Sequence, residues 1–117
     1  MRQFEDEGVR LELTPAMFQI LLALAEGQRH GYAVMQEVEE RTGHEIQLPP
    51  GTLYRSIKRL LDAGLIERLG DGRHHDARRV YYRITRTGRK AAAAEAAKLS
   101  KLVALARQRR LIPAAEM

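Results

Sequence analysis

The chain has 117 residues, which suits a single domain, and 44% of them are hydrophobic, enough for a modest core. It has no cysteine, which excludes disulfides, thiolate metal ligands and cysteine nucleophiles. The net charge of +5 is unevenly spread, because residues 1–48 hold four basic and nine acidic residues whereas residues 49–90 hold eleven and four. No apolar run reaches the roughly 18 residues of a membrane span, and the acidic start is unlike a signal peptide. We therefore expect a cytoplasmic protein with no membrane partner, whose basic middle segment favours a polyanion.

The spacing of apolar residues predicts four helices after a polar lead-in over residues 1–12, which includes a short helical stretch near residues 4–10. Thr14 and Pro15 are typical of an N-cap and a first helical residue, so the first helix covers about residues 16–26. The second covers residues 32–42, and the third runs from Pro50 or Gly51 to residue 63. The last begins at a cap on Thr85 or Thr87 and reaches about residue 110.

Three segments have the alternation typical of strands. Residues 46–48 predict a very short strand, and residues 65–69 and 79–85 predict a hairpin with Val80, Tyr82 and Ile84 on its apolar side. The polar loop between the two longer strands exceeds the usual hairpin length and is expected to project into solvent. The predicted fold is mainly α with a small β-hairpin.

Three helices followed by a hairpin with a basic loop predict a winged helix-turn-helix domain, whose third helix enters a DNA groove. Its predicted outward residues suit phosphates and base edges, as do the arginines on or beside the loop. Tyr54 either contacts a phosphate or packs against the wing. The other interpretation of the helix is an ordinary solvated face. The proposed contacts are Thr52, Tyr54, Arg55, Ser56, Lys58 and Arg59 on the helix, and Arg73, Arg78 and Arg79 on the wing.

Other chemistry finds little support in the sequence. His74, His75 and Asp76 are neighbours in the loop, where adjacent side chains point apart and no third imidazole lies nearby, so we expect no metal. His30 and His44 are isolated and are interpreted as surface or cap residues. No nucleophile with a matched base and no phosphate-binding glycine loop is present, so we expect neither an enzyme nor a cofactor.

The last helix carries small and apolar residues at alternating steps of four and three, the pattern of a coiled-coil seam. A lone helix with this much apolar surface needs a partner, and a second copy of the chain is the simplest one. The alternative is packing against the helix at residues 16–26, and both can occur together. The predicted dimerisation residues are Ala92, Ala96, Leu99, Leu102, Val103 and Ala106.

Several short motifs together resemble the PadR-type transcriptional regulators, over roughly residues 11–106 and with the single C-terminal helix of the smaller subgroup. These motifs are Leu13-Thr14-Pro15, His30-Gly31-Tyr32, Gly51-Thr52-Leu53-Tyr54, Lys58-Arg59-Leu60, Ala63-Gly64-Leu65-Ile66, and Val80-Tyr81-Tyr82-Arg83-Ile84-Thr85 with Gly88.

The resemblance implies a homodimeric repressor that binds a near-palindromic operator in double-stranded DNA and is released by a small-molecule effector. Some small members hold flat aromatic compounds between the C-terminal helices with an aromatic side chain. This chain departs from that pattern, because it has no tryptophan and residues 89–112 contain no aromatic residue, so an effector would meet Leu99, Leu102 and Val103 instead.

We expect a winged helix-turn-helix domain over residues 1–86, a dimerisation helix over 87–112 and a flexible tail over 113–117. The alternative function is a winged-helix module that binds an acidic partner protein. A third hypothesis, a small-molecule carrier, has less support, because nothing in the sequence predicts a pocket before dimerisation.

Overall fold

The computed structural model describes residues 12–69 and 80–113. The predicted helical stretch near residues 4–10, the loop over residues 70–79 and most of the predicted tail lie outside these ranges. The elements, in chain order, are α1 (Pro15–Ala25), β1 (Arg29–His30), α2 (Gly31–Arg41), α3 (Pro50–Asp62), β2 (Ile66–Leu69), β3 (Tyr81–Ile84) and α4 (Arg86–Gln108).

Helix α1 forms the centre of the core. The Thr14 hydroxyl accepts a hydrogen bond from the Met17 backbone N–H at 3.1 Å and Pro15 occupies the first turn, which confirms the predicted start. Met17, Ile20 and Leu21 are fully buried, and α2, α3, α4 and β3 all pack against this helix. The predicted three-helix core is therefore confirmed.

Helix α2 begins at an imidazole cap. His30 Nδ1 accepts a hydrogen bond from the Ala33 backbone N–H at 3.2 Å, so the interpretation of His30 as a cap residue is confirmed. Arg41, in the last turn, donates to both carboxylate oxygens of Glu37 at 2.9 Å and to Gln19 on α1 at 2.7 Å. The hydrogen bonds from Arg41 lower the pKa of Glu37 despite some opposing desolvation, and the same pair raises the pKa of Arg41.

The predicted strand over residues 46–48 is wrong. The Thr42 hydroxyl donates to the Val38 carbonyl at 2.8 Å and accepts from the Ile46 backbone N–H at 3.1 Å. The N–H group that a strand would pair with a neighbouring strand is therefore bonded to a side chain within a turn. Leu48 is buried, and Ile46 packs against the core from this irregular connection. The α2–α3 link is thus anchored by apolar contacts rather than by a sheet.

The sheet has three antiparallel strands in the order β1–β3–β2. The sequence predicted the β2–β3 hairpin, in which the structure sets Ile66 opposite Ile84. It took residues 28–31 as a polar link and missed β1. Strand β1 pairs Arg29 with Tyr82, as an edge beside β3. Tyr82 and Ile84 are buried and Val80 packs against the core, as the alternation predicted.

Helix α4 starts against the end of the hairpin. The Thr85 hydroxyl accepts from the Gly88 backbone N–H at 3.0 Å and donates to the Gly64 carbonyl at 2.7 Å, while the Thr85 backbone N–H donates to the Leu65 carbonyl at 3.0 Å. Gly88 is buried in this joint, where a Cβ atom would lie 2.0 Å from the Leu65 carbonyl oxygen. The first turn of α4 is therefore fixed to the segment that joins α3 to β2.

Candidate nucleic-acid interface

Helix α3 has one buried side and one cationic side. Leu53, Ile57 and Leu60 are buried against the core, whereas Arg55, Lys58 and Arg59 are exposed. Spacings of three and four residues place these cations on one outward surface, which we call the cationic face of α3. The prediction that the third helix turns arginine and lysine outward is confirmed for these three residues.

Ser56 does not belong to that face. Its side chain is only 7% exposed, among the buried residues of α3. Position 56 lies three residues after Leu53 and four before Leu60, so helical geometry places it in the apolar stripe whatever its polarity. The prediction that Ser56 faces outward is wrong.

The N-terminus of α3 is open on its polar side. Pro49 and Pro50 start the helix, and no side chain caps it, so the first turn presents backbone N–H groups without a side-chain acceptor. Thr52 is half-buried in this turn. The Arg55 guanidinium lies back over Gly51, 3.7 Å from where a Cβ atom on that glycine would be. Donors of three kinds therefore converge at this end of the helix.

Tyr54 occupies a place that neither sequence alternative included. Its ring lies over Gly31 at the start of α2, and a Cβ atom at Gly31 would come within 2.7 Å of the hydroxyl and 3.1 Å of the ring. The side chain remains 42% exposed. The packing contact is thus with α2, while contact with a phosphate stays a prediction.

Two cations, one on the cationic face of α3 and one on the hairpin stem, have acidic partners. Lys58 Nζ lies 3.0 Å from Asp62, one turn further along α3, and Arg83 Nε donates to Glu67 at 2.8 Å across the hairpin. Arg55 and Arg59 form no ion pair with any residue in the ranges 12–69 and 80–113. Sequence reasoning missed the role of Asp62, although its position four residues after Lys58 was a usable signal.

The wing residues Arg73, Arg78 and Arg79 lie outside the described residues, as do His74, His75 and Asp76, so their roles stay predictions. What the structure describes is the stem of the hairpin, in which β2 pairs with β3 and packs against α3. Over the described part of the chain, no group of three or more His, Asp or Glu side chains is placed to hold a metal ion.

The predicted seam of α4 divides into two parts. Ala92 packs against the core near α1, which is the intramolecular alternative. Beyond it, Leu99, Leu102 and Val103 are exposed, with Leu102 57% accessible, and Leu105 is exposed beside them. Ala96 is exposed and Ala106 half-buried on the same helix. The second half of α4 is therefore an apolar surface without a partner among the described residues; we call it the α4 apolar face.

None of the described helices combines the length and the apolar character needed to cross a bilayer.

Comparison with known proteins identifies the family. Residues 20–94 match the model of the transcriptional regulator PadR-like family. The chain is 39% identical over 94 residues to transcriptional regulator Rv3488 of Mycobacterium tuberculosis, covering 78% of this chain and 75% of that protein. It is 26% identical to a transcriptional regulator structure from Clostridium thermocellum, with a TM-score of 0.70 over 79% of this chain and 89% of that one.

The fold is also that of Bacillus subtilis PadR solved in complex with operator DNA, at a TM-score of 0.58 and 22% identity, over 67% of this chain and 44% of that one. The motifs quoted from the sequence fall within or beside the matched residues, and the winged-helix architecture is the one they implied. The chain therefore belongs to the PadR-like family, whose members are transcriptional regulators rather than enzymes.

Proposed function

We propose that the protein is a homodimeric repressor that binds a near-palindromic operator with α3 in the major groove. The observation that carries this proposal is the cationic face of α3, where Arg55 and Arg59 are exposed and have no acidic partner among the described residues. Family membership supports DNA as the polyanion, and Bacillus subtilis PadR, which shares the fold, was solved in complex with operator DNA.

The cationic face offers both kinds of contact that specific recognition requires. An arginine side chain can donate two hydrogen bonds to O6 and N7 of a guanine, which distinguishes that base pair from the others. The open N-terminus of α3, with Thr52 and the free N–H groups of the first turn, suits a phosphate, which fixes the register of the helix in the groove. Arg73, Arg78 and Arg79 would add backbone or minor-groove contacts from the wing.

The α4 apolar face supports the dimer. Leu99, Leu102 and Val103 would pair with the same residues of a second copy, since a two-fold interface places one surface against itself. Dimer symmetry would then set two α3 helices roughly 34–36 Å apart, one turn of DNA. A small-molecule effector that loosens DNA binding would enter between the two α4 helices.

Selection from a randomised duplex pool tests DNA recognition without knowledge of the operator. We expect an enriched sequence with two inverted half-sites, bound with an affinity that falls steeply with salt. Arg55→Ala should weaken binding to the enriched duplex about 10- to 100-fold. Arg107→Ala, which removes the same charge from the last turn of α4, is the matched control. Failure to enrich any sequence, with capture of acidic proteins instead, would favour the protein-binding module.

The dimer has its own test. Leu102→Glu should halve the mass measured by light scattering, because it buries two like charges in the proposed interface. Ala104→Glu, about 200° further around the helix, is the matched control and should stay dimeric. A monomeric native chain would contradict the proposal.

A further inference from the structure

Asp62 is an acidic residue on the helix that we propose enters the major groove. It is the last residue of α3 and the only acidic one in it, and its side chain is 67% exposed. Three cations precede it on the outward side, and Lys58 Nζ lies 3.0 Å from its carboxylate. A negative charge here opposes the approach of a phosphate backbone, so its presence needs a reason.

Helix stability does not supply that reason. The C-terminus of a helix carries the negative end of the macrodipole, so a carboxylate in the last position is unfavourable. The order of the pair, with lysine one turn before the acid, is also the weaker of the two orientations. Because both side chains are well exposed, the pair shifts an equilibrium by no more than about twofold. Asp62 is therefore poorly placed to hold α3 together.

The placement does suit control of the cationic face. Each lysine or arginine that neutralises a phosphate strengthens binding to any DNA sequence, because it releases counterions. Asp62 offers Lys58 a competing partner, and it leaves Arg55 and Arg59, which have none in the described ranges, to make the contacts that read bases. Binding to unrelated DNA depends almost wholly on phosphate contacts, so it loses more than operator binding does when Lys58 is paired with Asp62.

Building on the proposed function, we infer that Asp62 determines specificity: it withholds Lys58 from the DNA backbone and thereby weakens binding to unrelated sequences more than binding to the operator. The same logic applies in the hairpin stem, where Glu67 pairs with Arg83. Asp62 acts here through Lys58 and is not itself a contact to a base.

The test compares Asp62→Asn with the native protein on two duplexes, the one enriched by selection and a shuffled duplex of the same length and composition. We expect Asp62→Asn to bind the shuffled duplex up to about twofold more tightly, the limit set by so weak a pair, and with a steeper salt dependence. The ratio of enriched to shuffled affinity should fall.

Variants at Lys58 separate this mechanism from a general gain of charge. Lys58→Met should change the shuffled-duplex slope little in the native background and should remove the whole gain in the Asp62→Asn background. Glu26→Gln changes net charge equally, at an exposed pair with Arg29 at the end of α1, and is the control. Asp62→Asn should melt at or above the native temperature, since it removes an unfavourable charge from the helix end.

Three results would overturn the inference: unchanged binding by Asp62→Asn, the same gain from Glu26→Gln, or equal tightening on both duplexes. In each case the native protein would still bind its enriched duplex, so the proposed function would stand. Absence of DNA binding by the native protein is a different result and would remove both.

Discussion

The buried glycine at the start of α4 gives the sharpest prediction of stability. Replacing Gly88 with alanine would place a Cβ atom 2.0 Å from the Leu65 carbonyl oxygen and 2.9 Å from Cγ1 of Ile84. The first of these neighbours is backbone at the junction of α3 and β2, so it cannot rotate away as a side chain would. To reach ordinary contact distance, the first turn of α4 must move by more than 1 Å relative to the hairpin.

That movement breaks identifiable contacts. The two hydrogen bonds from Thr85, to the carbonyls of Gly64 and Leu65, contribute about 1 kcal/mol each. Overpacking against Ile84 costs about 1–2 kcal/mol more. Alanine recovers about 1 kcal/mol through its higher helix propensity. The expected net loss is about 2–3 kcal/mol, which lowers the melting temperature of a chain of this size by about 10–20 °C.

Thermal melting followed by circular dichroism, at several protein concentrations to allow for association, measures this loss. The matched control is Gly51→Ala in the first turn of α3, where a Cβ atom would meet nothing closer than the flexible Arg55 guanidinium at 3.7 Å. That variant should be as stable as the native protein or more so, because alanine is the better helix former. If Gly88→Ala melted at the same temperature as Gly51→Ala, the close approach of α4 to the Leu65 carbonyl would be refuted.

Two other predictions concern α2. The lowered pKa of Glu37 means that its pair with Arg41 stabilises the fold fully above the ordinary value of 4.5 and is lost as the pH falls through the lower folded value. Glu37→Gln should therefore cost about 1 kcal/mol or less at neutral pH, and the cost should shrink as the pH falls below 4.5, in urea unfolding across that range; a constant difference would contradict the pairing. Gly31→Ala should displace the Tyr54 ring, with little loss of stability but weaker binding to the enriched duplex, and Tyr54→Phe in the same chain should relieve the closest contact. Unchanged DNA affinity would show that the ring position does not matter.

The elements that the sequence predicted correctly are those whose own residues determine them. Thr14 caps α1 and the Val80–Ile84 alternation forms β3 because the required side chains lie within a few residues of the groups they satisfy. Strand β1 could not be predicted in this way. It has only two residues, too few to show an alternation of polar and apolar side chains, and they form a strand only because β3 lies beside them. The wrongly predicted strand at residues 46–48 has the right alternation, but it pairs with none of the described strands. The Ile46 N–H donates to the Thr42 hydroxyl instead.

Residue type gave a wrong orientation for Ser56 and did not decide which contact Tyr54 makes. A serine among arginines suggests an exposed surface, yet position 56 falls in the stripe between Leu53 and Leu60, and its side chain is buried. The spacing would have placed it correctly. The position of Tyr54 could not be read in this way, because its partner Gly31 lies on another helix and offers no side chain for a pattern to detect.

The joint at Gly88 bears on how an effector could act. Thr85 and Gly88 fix the first turn of α4 to the segment between α3 and β2, and Arg89 donates to the Ala25 carbonyl at the end of α1 at 3.1 Å. A helix whose start is bonded both to this segment and to α1 cannot swing independently of the domain that carries α3. In the proposed dimer, a change of angle between two α4 helices would therefore be transmitted to the separation of the two cationic faces. Because operator half-sites demand a fixed separation, a small rotation at the α4 apolar face would suffice to release DNA, with no rearrangement inside either winged-helix domain.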